Sequence, residues 1–287
     1  MTLLQILTLA IIQGAAELLP VSSSAHVIVA EKLMGLDPTT PAMTLLLVML
    51  HTGTMFAVIF YFWKSWKESF FSSKKIFIES VKLILVATLI TGAIGLTLKF
   101  LVEKLFMKDI PHAEIEQLFG NMNLIATSLA VVGLLILLAG IKNRTVSGNA
   151  SKLGMKESCI VGAVQGICLP FRGFSRSGAT ISTGLLLGIS RIKIEAFSFA
   201  LAVVLTPPII VREVLRLLHE QRVAPSTTSE LTHIFMPSLL GMVFSFIAGL
   251  LALKWLSNWL ENGRWPLFGI YCLIASGIVF VLHQNGV

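Results

Sequence analysis

The feature that most constrains this chain is a series of six apolar segments, each close to the length that crosses a lipid bilayer. They lie at about 44–63, 82–101, 123–141, 196–211, 235–253 and 266–283. About 20 apolar helical residues span the hydrocarbon core, and a helix satisfies its backbone hydrogen bonds without water. Only 13% of the residues are charged, against about 25% in soluble domains. The sequence therefore predicts an all-α integral membrane protein with six transmembrane helices.

Lysine and arginine are unevenly distributed between the two sides of these predicted helices. Thirteen of the 22 lie in connections on one side and seven on the other. Cytoplasmic loops are enriched in these residues, so the richer side is predicted to be cytoplasmic and both termini to lie outside. The net charge of +7 then reflects contact with anionic membrane lipids, and we expect no nucleic-acid partner.

Two further segments, roughly 3–36 and 157–190, each consist of two apolar arms separated by a polar break. The arms 158–169 and 177–189 cover only about 18–20 Å as helices, because each residue adds 1.5 Å. They are too short to cross, so we interpret both segments as re-entrant helical hairpins. The arm 3–19 is longer and could instead span the membrane.

The two halves of the chain resemble each other. The dipeptide QG occurs at 13–14 and at 165–166, and each copy precedes a proline, a serine cluster and a returning apolar arm. Because each half has three predicted spans, an odd number, the halves would have opposite orientations, as in inverted-topology repeats. We therefore predict one membrane domain over 1–287, made of repeat one at about 1–141, a cytoplasmic linker at about 142–156 and repeat two at about 157–283. A chance match of short apolar strings is the alternative.

The first hairpin contains an unusual number of polar side chains. Gln13 and Glu17 are four residues apart and share one helix face. Ser22 and Ser23 suit the N-cap of the returning helix, and His26 follows about one turn later. The N-terminus of a helix offers unpaired amides and a positive dipole, which favour an anion near the tip of the hairpin.

The second hairpin repeats this arrangement around Arg176. Ser177 could cap the returning helix, Gly178 would allow a ligand close to the backbone, and the Arg176 guanidinium suits phosphate oxygens. A charged side chain at membrane depth costs roughly 3 kcal/mol, so Glu17 and Arg176 indicate a functional site rather than packing. Structural pairing of the two is the alternative. We interpret His51, in an apolar run, as a packing histidine.

The combined residue types favour phosphoryl transfer from a phosphate on a lipid. Helix N-termini and an arginine suit the phosphate, whereas a carboxylate beside a side-chain amide suits a hard cation such as Mg²⁺ or Ca²⁺. A serine near a histidine suits a nucleophile with a proton carrier, or a pair that positions the phosphate.

At these residues the sequence resembles the BacA-type undecaprenyl-diphosphate phosphatases, the bacitracin resistance protein family. Its first motif corresponds to Gln13–Glu17 followed by PVSSSAH at 20–26, and its second to GFSRSGAT at 173–180. The similarity continues through FSFALAV at 197–203 to PLFGIY at 266–271. The resemblance implies an inverted repeat with two re-entrant hairpins, in the bacterial plasma membrane, with the site toward the outer face.

The resemblance also implies a reaction and residue roles. The reaction is hydrolysis of undecaprenyl diphosphate to the monophosphate carrier and inorganic phosphate, which recycles the carrier for cell-wall synthesis and confers bacitracin resistance. Gln13 and Glu17 would hold the divalent cation, Arg176 the phosphate, Ser23 would be the nucleophilic or orienting hydroxyl, and His26 the acid/base. The implied substrate-binding residues are Ser22, Ser175, Ser177, Gly178 and Thr180. Whether a phosphoserine forms or water attacks directly stays open.

This sequence departs from the motifs at two positions. Gln13 stands where glutamate is commoner, which removes one negative charge from the predicted metal site. Arg172 stands where the second motif has proline. Its side chain could add a second phosphate contact or reach the lipid head groups, and the sequence favours the latter slightly.

Two other function classes compete with this interpretation. Inverted repeats with broken helices are common in secondary transporters, so a transporter or lipid-phosphate flippase using the same site is the main alternative. A phosphatase of the PAP2 type would need a histidine and an aspartate spaced H-x-x-x-D after Arg176, and the sequence has none.

Overall fold

A computed structural model describes residues 2–37, 40–106, 121–145, 153–223, 228–261 and 264–285 of the chain. These residues form ten helices. They are α1 Leu3–Glu17, α2 Ser23–Leu33, α3 Pro41–Phe70, α4 Lys74–Phe106, α5 Met122–Thr145, α6 Met155–Cys168, α7 Arg176–Leu186, α8 Arg191–Val223, α9 Thr228–Glu261 and α10 Trp265–Gln284.

Six of these helices, α3, α4, α5, α8, α9 and α10, are long and apolar enough to cross a membrane. Each contains one of the predicted spans, which confirms a multi-pass, all-helical membrane protein. Most extend well past the apolar segment; α4, for example, has 33 residues and α9 has 34. The helix continues because the flanking polar residues are good helix formers that reach the membrane surface.

The remaining four helices form two helix–break–helix units. The helices α1, α2, α6 and α7 have 15, 11, 14 and 11 residues, fewer than the roughly 20 that cross a bilayer. Their bounds lie within a few residues of the predicted arms. In each unit the break contains a proline, Pro20 or Pro170, which cannot continue the helical hydrogen-bond ladder.

The capping residues differ from two of the predictions. Ser175, not Ser177, is the N-cap of α7, because its hydroxyl accepts a hydrogen bond of 3.1 Å from the Gly178 amide. Ser22 occupies the N-cap position of α2 but makes no capping bond, and its φ of 65° is left-handed. Ser23 is already the first residue of α2. Its hydroxyl is therefore directed away from the backbone amides and is available for a tertiary contact.

Helix packing brings the two halves of the chain together. Helix α5 packs against α10, α1 against α9, and α6 against α4. A glycine permits close approach at each of the last two contacts: a Cβ atom at Gly14 would lie 2.6 Å from that of Ala248, and one at Gly166 would lie 2.8 Å from that of Ile94. Helices α3 and α8 also pack against each other, beside the two breaks.

Part of the predicted organisation falls outside the described residues. The middle of the linker predicted at about 142–156 belongs to this part, since the structure describes only 142–145 and 153–156. The proposed repeat boundaries therefore stay a prediction.

Candidate active site

The two helix breaks lie against each other in the structure. Gly178, in the first turn of α7, has no side chain and so allows the backbone of Pro20 to approach; a Cβ atom there would lie 3.0 Å from the Pro20 carbonyl oxygen. Gly178 was expected to let a ligand approach the backbone. Instead it packs the two breaks together.

The Glu17 carboxylate, at the end of α1, is the centre of the contacts at this junction. Its Oε1 accepts a hydrogen bond of 3.1 Å from Arg176 Nη2, at the start of α7. Its Oε2 lies 2.5 Å from Ser23 Oγ, 2.8 Å from Gln13 Nε2 and 2.8 Å from His51 Nδ1. Residues from α1, α2, α3 and α7 thus meet at one carboxylate.

Glu17 and Arg176 form a shielded ion pair. Their side chains are 13% and 27% exposed, and each charge reduces the cost of burying the other. The contact with Glu17 uses one of the five N–H donors of a guanidinium. The pair therefore stabilises the junction and still leaves Arg176 able to donate hydrogen bonds to an anion.

Gln13 adds a second oxygen atom beside Glu17. The residue is fully buried, and its Nε2 contacts Glu17, His51 and, at 3.5 Å, Thr54 Oγ1. Its Oε1 is buried without a hydrogen-bond partner among the described residues. Buried polar oxygens are normally paired, so this atom is a candidate ligand for a cation that prefers oxygen donors.

A cavity of about 210 Å³ opens at the junction. Its lining includes hydroxyl and charged groups at the two breaks, namely Glu17, Arg176, Ser22, Ser23, Ser24, Ser175 and Ser177. It also includes apolar side chains of α3 and α8, namely Leu47, Val48, Val58, Phe199, Ala202 and Val203. Charged groups, hydroxyls and apolar side chains therefore line the same cavity.

Four of the predicted site residues lie outside the lining of this cavity. Gln13 is buried and contacts the lining residues Glu17 and His51 without lining the cavity itself. The Nδ1 of His26 contacts the Ser22 carbonyl at 2.8 Å, and its Nε2 contacts the Tyr271 hydroxyl at 2.7 Å. Thr180 is buried and bonds to Ser198 Oγ at 2.6 Å, and Gly178 lies in the contact between the breaks.

His51 is the main residue that the sequence interpretation missed. We expected it to be a packing residue, but it lines the cavity and contacts both Glu17 and Gln13. Its position depends on the packing of α3 against α1, which no local pattern encodes. The one indication in the sequence was a histidine within an apolar run, because ionisable residues inside a membrane usually have a function.

Comparisons with known proteins extend over nearly the whole chain. A family model described as bacitracin resistance protein BacA matches residues 6–279. The chain is 59% identical over 283 residues to undecaprenyl-diphosphatase 2 of Acinetobacter baylyi, with 98% of each chain covered. It is 30% identical over 290 residues to an undecaprenyl-diphosphatase of Bacteroides fragilis strain YCH46, with 97% of each covered. A relative in Korarchaeum cryptofilum with the same name is also 30% identical, over 295 residues, with 96% of this chain and 97% of the relative covered.

Proposed function

The chain belongs to the bacitracin resistance protein BacA family, and we propose that it hydrolyses undecaprenyl diphosphate to undecaprenyl phosphate and inorganic phosphate. The relatives described above are named for this activity. The observation that supports it most directly is the contact between Glu17 and Arg176 at a cavity lined by both polar and apolar side chains. A polyprenyl diphosphate needs both, because it has a charged head and an apolar tail.

The arginine and the surrounding hydroxyls suit the terminal phosphate. Arg176 provides a planar set of donors for phosphate oxygens, while Ser175 and Ser177 line the cavity on either side of it. Catalysis of phosphoryl transfer depends mainly on positioning and charge stabilisation. Arg176 therefore orients the phosphate and stabilises the charge that develops on its oxygens.

Glu17 and Ser23 supply the proton transfer. Ser23 Oγ lies close to Glu17 Oε2, so the carboxylate can accept a proton when the hydroxyl attacks phosphorus. In that route the phosphoryl group is transferred to Ser23 as the bond from phosphorus to the bridging oxygen breaks and the lipid monophosphate leaves. Water then hydrolyses the phosphoserine, which releases inorganic phosphate and restores the hydroxyl. In the second route Ser23 orients a water molecule that attacks phosphorus directly, and Glu17 accepts the proton of that water. Both routes then give the same products.

His51 holds Glu17 in place for this transfer. Its Nδ1 contacts the same Oε2 atom that faces Ser23, so His51 fixes the orientation of the carboxylate that receives the proton. His26, which the resemblance assigns as the acid/base, instead positions Ser22 through the carbonyl contact, next to the reacting serine.

A divalent cation, Mg²⁺ or Ca²⁺, is proposed to bind beside the diphosphate. Among the described residues no three His, Cys, Asp or Glu side chains cluster as a metal site. Glu17 and the unpartnered Gln13 Oε1 would therefore hold the ion together with phosphate oxygens, as is common for Mg²⁺. Once bound, the ion would neutralise charge on the phosphate oxygens.

An inverted-topology repeat with two re-entrant hairpins would place this site within the membrane. Two equivalences support it. Helix α1 packs on α9 as α6 packs on α4, and Gly14 and Gly166 each permit one of these contacts. The lysine and arginine distribution would place both termini outside, and the family resemblance would place the site toward the outer face of the bacterial plasma membrane.

The paired helix breaks also fit a transporter or lipid-phosphate flippase, and one assay separates the two classes. We expect purified protein in detergent to release phosphate from undecaprenyl diphosphate, because hydrolysis needs no membrane gradient. Glu17→Gln, Ser23→Ala and Arg176→Gln should each lower kcat/KM by about 100-fold or more, the usual scale for a lost proton-transfer or charge-stabilising group.

Thr97→Ala is the matched control, since its hydroxyl only bonds to the carbonyl of Ala93 on the same helix. It should keep the wild-type rate. Full activity in the Glu17 and Arg176 variants would contradict the assignment, and absence of phosphate release by the wild type would favour transport.

The two histidines are distinguished by the size of their effects on kcat/KM. We expect His51→Gln to lower kcat/KM by about 100-fold, because His51 contacts the carboxylate that takes the proton. His26→Gln should lower it less, since His26 contacts the Ser22 carbonyl. A larger loss in His26→Gln than in His51→Gln would show that His26 is the acid/base.

The metal proposal is tested by titration with chelator and Mg²⁺. We expect chelator to abolish phosphate release and Mg²⁺ to restore it. Gln13→Glu should bind Mg²⁺ about tenfold more tightly by calorimetry, because affinity rises with the number of charged ligands. Undiminished activity in chelator, or an unchanged affinity in Gln13→Glu, would exclude Gln13 and Glu17 as ligands.

A further inference from the structure

Arg172 departs from the second family motif, where proline is expected, and the structure places it in the lining of the cavity. The side chain is half-buried, and its Nε atom is buried. Arg172 therefore lines the candidate site, where its guanidinium can meet a ligand.

The backbone around Arg172 is held firmly. The next residue, Gly173, has a φ of 94°, and a Cβ atom there would lie 2.5 Å from the carbonyl oxygen of Ile125 on α5. Only glycine fits such a left-handed position in close contact. The turn at Gly173 therefore constrains the backbone between Arg172 and Arg176. Both side chains line the same cavity.

The charges at the cavity are unequal. Among the described residues, its lining includes the guanidinium groups of Arg172 and Arg176 and one carboxylate, that of Glu17. Two guanidinium groups therefore line a cavity to which Glu17 contributes the carboxylate.

We propose that Arg172 binds the second phosphate of the substrate, the one that stays on the lipid, while Arg176 binds the terminal one. This inference rests on the proposed function. A guanidinium binds phosphate through two parallel hydrogen bonds, so two of them in the lining of one cavity suit two linked phosphates. The cavity would then prefer a diphosphate to a monophosphate, which favours substrate binding and product release.

Binding of inorganic pyrophosphate and inorganic phosphate tests this directly. Both are titrated by calorimetry into the purified full chain, with Arg172→Gln and Arg172→Pro as variants. We expect the wild type to bind pyrophosphate at least tenfold more tightly than phosphate. Each variant should lose about tenfold in pyrophosphate affinity, the scale of one charge-assisted hydrogen bond, and keep its phosphate affinity.

Two features of the design keep the outcomes distinct. Arg172→Pro introduces the residue of the family motif, so it provides a second variant if Arg172→Gln fails to fold. Arg191→Gln is the control, because Arg191 bonds to Glu195 at 2.7 Å and does not line the cavity. The Arg191→Gln variant should bind both anions as the wild type does.

Unchanged pyrophosphate affinity in the variants, or an equal loss for both anions, would overturn the inference. In parallel, the KM for undecaprenyl diphosphate should rise by a similar factor in both variants. If the wild type releases no phosphate from that lipid, the proposed function fails. If the wild type does release phosphate, and the Arg172 variants keep both the wild-type KM and the wild-type pyrophosphate affinity, only the proposed role of Arg172 fails.

Discussion

The contact between Glu17 and Arg176 is the interaction on which the rest of the structure depends. The two residues are 159 positions apart in the chain, and each would be costly at membrane depth without an opposite charge. Pairing them reduces that cost only if the two helix breaks touch, so it ties the first hairpin to the second. The close contact at Gly178 follows from that junction. The grouping of Ser23, Gln13 and His51 around the Glu17 carboxylate also follows from it.

The two halves contribute unequally to the site. If Gln13 and Gln165 are equivalent, Leu169 stands where the first half has Glu17. The second half keeps the buried amide but lacks the carboxylate, and it supplies the arginine. One negative and one positive group therefore come from different halves, and a single site forms between them. Apolar side chains of α3 and α8 line the same cavity as these polar groups. They provide a surface for a lipid tail.

The sequence was sufficient for the membrane-spanning helices and for selecting Glu17 and Arg176, although it offered their direct pairing only as an alternative. Apolar length predicts α3, α4, α5, α8, α9 and α10, and the cost of charge in lipid singles out Glu17 and Arg176. It was insufficient where a side chain depends on a distant helix. His51 reaches Glu17 because α3 packs against α1, and His26 turns to Tyr271, which is 245 residues away. The cap of α7 was wrong by two residues, because Ser175 and Ser177 have the same capping chemistry.

The central claim is that the two breaks are held together by opposite charges, and a double-mutant cycle measures this most directly. Unfolding of the purified protein in detergent is compared for the wild type, Glu17→Gln, Arg176→Gln and the double variant. The account predicts a coupling energy of about 1–3 kcal/mol between the two changes, the range for residues in contact, whereas Glu17→Gln combined with Arg191→Gln should be additive. Additivity of Glu17→Gln and Arg176→Gln within about 0.5 kcal/mol would contradict the account.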